Sequence, residues 1–157
     1  MKSKHTEEQD NRIKGHGQYT EIVEQEFLPL VTKSKYCVVH FYHNDFERCK
    51  IINMHLRNIA MKHTEAKFAY LNAEKCPFFI QKLNIQMLPT VIMFNDGVAV
   101  DRICGFDDLG GVDDFPELIL TRRLIFGGVL APLNDKEEGR SKITKKKAVY
   151  NEVEDDY

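Results

Sequence analysis

The run Tyr36-Cys37-Val38-Val39-His40-Phe41-Tyr42, followed after His43-Asn44-Asp45 by Phe46-Glu47-Arg48-Cys49 and much later by Leu88-Pro89-Thr90, decides the fold. The first segment is dense in β-branched and aromatic residues and apolar on both faces, as a strand must be when its sheet is covered on both sides. Downstream of the polar break, Ile52, Leu56, Ile59 and Ala60 recur at three- and four-residue intervals as far as His63, which predicts a long amphipathic helix. Asn44 with Glu47 three residues on predicts a capping box at its start, with Asp45 as the competing cap.

The same alternation extends in both directions. Tyr19 to Val23 reads as a short strand, and Glu24 to Thr32, with Phe27, Leu28, Leu30 and Val31, as a helix. Lys67 to Asn72 reads as a strand and Pro77 to Leu83 as a short helix, its proline standing where a first-turn residue needs no donor. Pro89 to Phe94, then Asn95-Asp96-Gly97, then Val98 to Ile103 predicts a hairpin. Phe115, Leu118, Ile119, Leu124 and Ile125 mark a last helix, with Asp113 and Asp114 near its positive end and Arg122 and Arg123 near its negative end. The class is α/β.

Outside this unit the composition turns polar. We expect an N-terminal tail over 1–17, one folded domain over 18–131 and a charged C-terminal tail over 132–157, in which the basic block Arg140 to Lys147 precedes the acidic end Glu152 to Asp156. The 22 basic and 24 acidic side chains leave a net charge of −2, so no global field draws nucleic acid or an anionic membrane, and no apolar stretch is long enough for a bilayer span. The N-terminus lacks the apolar stretch of a secretory signal, and the expected location is the cytoplasm. A nuclear-localisation reading of the basic block competes with that of a plain solvated tail, which we prefer. The four cysteines are far apart without a C-x-x-C pair and are expected as free or packed thiols rather than disulfides. No histidine pair has metal-ligand spacing, and no cofactor motif is present, so neither a metal nor a cofactor is expected.

Several of these segments carry a resemblance. Val38-Val39-His40-Phe41-Tyr42 with Cys49-Lys50 resembles the central strand and the end of the active-site motif of thioredoxins, and Leu88-Pro89-Thr90, 40 positions after Cys49, resembles their cis-proline loop. A narrower match, through Lys14-Gly15-His16-Gly17, Arg48-Cys49-Lys50, Gly105-Phe106-Asp107-Asp108-Leu109-Gly110 and Asp113-Asp114-Phe115, resembles the phosducin-like family. The resemblance implies a three-layer α/β/α sandwich on a mixed, mostly five-stranded sheet with a cis-proline loop. It also implies a non-catalytic co-chaperone that binds the cytosolic chaperonin and modulates folding of actin or tubulin. G-protein βγ binding, which the wider family associates with a long charged region ahead of the domain, is the weaker expectation.

Thiol–disulfide exchange needs an exposed thiolate at the helix start and a second thiol one turn later. Here the motif reads Phe46-Glu47-Arg48-Cys49, a vestigial thiol motif in which only the resolving position keeps sulfur, so no disulfide can close within it. Asp45 stands where thioredoxins usually have tryptophan, and His40 replaces their buried acid. We therefore expect no enzyme activity. The alternative is a monothiol redox-regulatory protein acting through Cys49, against a plain reading in which Cys49 packs like an alanine. Cys37, Cys76 and Cys104 are expected to pack.

Overall fold

The computed structural model describes residues 11 and 13–133. Five strands form one mixed sheet: β1 (Tyr19–Glu21), β2 (Tyr36–Tyr42), β3 (Lys67–Asn72), β4 (Thr90–Asn95) and β5 (Val98–Cys104), in the order β1-β3-β2-β4-β5. The β2 strand is central, parallel to β3 and antiparallel to β4. Cys37, Val38, Val39, His40 and Phe41 are fully buried there, which is why the sequence had to be apolar in both alternating sets.

Helices cover both faces. Helices α2 (Glu47–Lys62) and α4 (Glu117–Phe126) pack Ile52, Leu56, Ile59, Leu120 and Leu124 against Val38, Phe68, Val91 and Ile103. On the opposite face, α1 (Glu24–Lys33) and α3 (Pro77–Lys82) pack Phe27, Val31 and Phe79 against Val39, Phe41, Leu71, Ile92 and Phe94. The Phe27 ring sits 4.5 Å from Phe79 and 5.6 Å from Phe94, centroid to centroid. This is the three-layer architecture that the resemblance implies, on the α/β class read from the alternation of elements. The hairpin turns through Asp96 and Gly97, both at positive φ (52° and 83°), a geometry in which Gly97 meets no steric penalty.

Three expectations are corrected. The long helix starts at Glu47 with Phe46 as its cap, and neither Asn44 nor Asp45 caps it. The reason is local: the Asp45 N–H donates to His43 Nδ1 and the Phe46 N–H to the His43 carbonyl, so residues 43–46 are spent on a turn. Glu47 then falls at the first helical position, one that cannot close a capping box. The last helix begins at Glu117 after Pro116, so Phe115, read as its first apolar residue, lies outside it and packs in the core. And residues 13–17 are not a free tail, because His16 is 4% exposed and hydrogen-bonded to the domain. The apolar unit runs through the buried Val129 and Leu130. The basic block and the acidic end lie outside the described residues.

Candidate functional site

Four chain segments meet at the end of the sheet where β2 runs out. The turn 43–46 and the first turn of α2 form one side. Leu88-Pro89-Thr90 approaches from the start of β4, and its Leu88–Pro89 peptide is cis. The Gly105 N–H donates to the Pro89 carbonyl over 2.8 Å, which brings in the segment after β5. Thr90, 1% exposed, donates its hydroxyl to the Met87 carbonyl and fixes the loop from within.

Each motif residue has a distinct setting. Phe46 is 44% exposed at the helix start, its ring 5.2 Å from that of His43. Glu47 is exposed and 3.4 Å from Lys50 Nζ. Arg48 reaches across to the segment after β5: its Nε donates to Asp113 Oδ1 over 2.7 Å, its Nη2 to the Gly111 carbonyl over 3.3 Å, and its guanidinium lies 4.5 Å over the Phe106 ring. Cys49, one turn into the helix, is 1% exposed. Burial pushes its thiol up, opposed in part by a hydrogen bond with the His43 backbone. The exposed position at the helix start therefore carries an aromatic ring and the sulfur lies beneath the surface.

Below the motif is a polar group in the core. His40 is fully buried, with Nδ1 2.9 Å from Asn53 Oδ1 and 3.1 Å from the Tyr19 hydroxyl, which itself donates to Asn53 Oδ1 over 2.6 Å. Because that amide oxygen only accepts, the His40 proton resides on Nδ1 and its Nε2 carries a lone pair, with no partner among the described residues. Burial drives the His40 pKa down to about 4, so the imidazole is neutral at physiological pH. Asn53 and Tyr19 were not singled out from the sequence. The available signal was spacing, since Asn53 is four residues after Cys49 and thus on the same helix face. Among the described residues no group of three or more His, Cys, Asp or Glu side chains is placed to hold a metal ion.

Comparison with known proteins agrees with this geometry. A sequence model of the thioredoxin family matches residues 18–122. Phosducin-like protein 3 of Dictyostelium discoideum is 49% identical over 115 residues, covering 73% of this chain and 62% of that protein. Phosducin-like protein 3 of Drosophila melanogaster is 44% identical over 131 residues, covering 83% and 61%. Thioredoxin domain-containing protein 9 of Homo sapiens is 45% identical over 112 residues, covering 71% and 50%. The chain belongs to the thioredoxin family, in its phosducin-like branch. This phosducin-like chain spans about half to three fifths of the length of those relatives. Solved structures agree on the fold: a thioredoxin variant from Halobacterium salinarum superimposes with a TM-score of 0.61 at 15% identity, covering 74% of this chain and 96% of that one. Spinach chloroplast thioredoxin f gives 0.58 at 21% identity, covering 73% and 93%.

Proposed function

We propose that this phosducin-like chain is a non-catalytic co-chaperone of the cytoplasm, an adaptor that binds the cytosolic chaperonin and modulates folding of actin or tubulin. The observation that carries the reading is the inversion at the helix start. An exposed Phe46 takes the place of the nucleophile, while the remaining sulfur, Cys49, is 1% exposed with its thiol pushed up by burial. Such a surface favours binding through apolar contact and disfavours the exposed thiolate that exchange needs. The names of its relatives support protein partners in general. The chaperonin itself comes from the family resemblance.

The test is affinity capture from cytosol with wild-type and Cys49→Ser protein, each with and without reducing agent. Equal recovery of chaperonin subunits from all four samples is the expected result. Partners held only by wild type, and only without reductant, would transfer the function to a mixed disulfide at Cys49. Absence of chaperonin from every sample at near-physiological salt would overturn the adaptor reading.

A further inference from the structure

The segment Gly15-His16-Gly17 is built into the domain by two buried side chains rather than laid along its surface. His16 Nδ1 lies 2.6 Å from the Thr64 carbonyl, which only accepts, so that nitrogen carries the proton; Nε2 then accepts from the Ser34 hydroxyl over 2.7 Å. Lys67, 5% exposed, donates from Nζ to the carbonyls of Gly15 (3.0 Å) and Gln18 (3.3 Å) and to Thr20 Oγ1 (3.1 Å). The ammonium thus grips the backbone on both sides of His16. Both glycines hold φ at +93°, and a Cβ on Gly15 would meet Lys67 Nζ at 3.4 Å.

Its place in the fold is defined by its partners. Ser34 precedes β2 and Thr64 follows α2, whereas the Phe46–Cys49 motif follows β2 and opens α2. The two features lie at opposite ends of a 16-residue helix, about 24 Å apart along its axis. We propose that Gly15-His16-Gly17 is a proton-sensitive clasp that holds residues 13–18 against the domain, at the pole opposite Phe46–Cys49, and that opens when His16 gains its second proton.

The electrostatics around the ring favour opening. Lys67 from β3, Lys14 from the strap itself and Lys33 from the end of α1, the last acting on Lys67, contribute positive charge. Among the described residues, the carboxylate facing the site is Glu65, already bonded to His63 Nδ1 (3.3 Å) and the Ala131 N–H (3.0 Å). Among the described residues, no carboxylate forms an ion pair with Lys67. A proton on Nε2 would put a second buried cation beside that ammonium, a cost that withdrawal of the strap into solvent removes. The sign follows from the direction of the shift: burial lowers the His16 pKa below 6.5, so the clasp holds above that pH and weakens as pH falls through it.

Amide hydrogen exchange on the full chain between pH 7.5 and 5.0, with the His16 ring followed by NMR, tests this. Once the intrinsic pH dependence of exchange is removed, opening of residues 15–22 should increase by up to about tenfold per pH unit below 6.5, in step with His16 protonation. The α2 amides of Ile52 to Ile59, which exchange only through unfolding of the core, should stay the better protected at every pH. In His16→Asn, which keeps a donor for Thr64 but cannot titrate, the strap should lose this pH dependence; a strap already open at pH 7.5 in that variant would equally support the anchoring role. Unchanged protection of residues 15–22 while wild-type His16 titrates would overturn the proposal, and so would the same pH-dependent opening in His16→Asn.

Discussion

Three of the four thiols in this chain are buried, and the fourth, Cys104, is exposed. Burial drives Cys37 up to about 12 and Cys76 to about 11 and raises Cys49. Against an ordinary value of 9.0, a thiol at about 12 carries roughly a thousandfold less thiolate at neutral pH, before access is considered. A brief pulse of iodoacetamide on native protein should therefore label Cys104 first, with the other three following only on unfolding, as read by peptide mass spectrometry. Labelling of Cys49 at the rate of Cys104 would show that the thiol motif opens readily and would revive the monothiol reading. Cys104 also marks a limit of sequence reading. Its strand is as apolar as others, but β5 is outermost in the sheet, and strand order is fixed by long-range pairing that a local pattern does not encode.

Among the elements, two arginines tie helices α2 and α4 to β5 and the segment after it, in environments of different depth. Arg48, with its side chain 45% exposed, links α2 to Asp113, so Asp113→Asn should cost less than about 1 kcal/mol. Arg123 is more enclosed. It donates to both Asp101 oxygens, at 2.7 and 3.1 Å, and to the Arg102 carbonyl at 3.2 Å. Asp101→Asn should therefore cost about 1–3 kcal/mol in urea unfolding, several times the Asp113 effect. Arg123 holds the Asp101 pKa down, so this contribution is present above the ordinary carboxylate range and is lost as pH falls through it. Equal costs for the two variants would refute the difference in depth. The helices and strands themselves were legible because periodicity reports burial, and only the termini moved. The α2 start shifted because the His43 backbone and ring captured the donors of Asp45 and Phe46, a competition invisible in residue spacing. The Arg48–Asp113 contact, 65 residues apart in sequence, had no local signal.

Across the whole molecule, burial or partial burial lowers the pKa of several imidazoles, and acid stability should record it. His40, wholly buried, has its pKa lowered to about 4, and burial lowers His16 and His55 in the same direction. Unfolding releases each to titrate near 6.5, so below that pH the unfolded chain binds more protons than the folded one, and stability falls as pH falls. The His40 contribution alone amounts to roughly 3 kcal/mol by pH 4, a large fraction of the 5–15 kcal/mol typical of a domain. Urea unfolding at pH 7.5, 5.5 and 4.0 should show this loss. Carboxylate titration adds to it near the acid end, so the decisive comparison is His40→Leu. That variant removes both the titrating ring and the unpartnered Nε2 while leaving the Tyr19 hydroxyl bonded to Asn53 over 2.6 Å. Its stability difference between pH 7.5 and 4.0 should be smaller than that of wild type by roughly 3 kcal/mol. If the two proteins lose stability in parallel, His40 is already charged in the fold or exchanges with water there, and the neutral core imidazole beneath the vestigial motif is wrong.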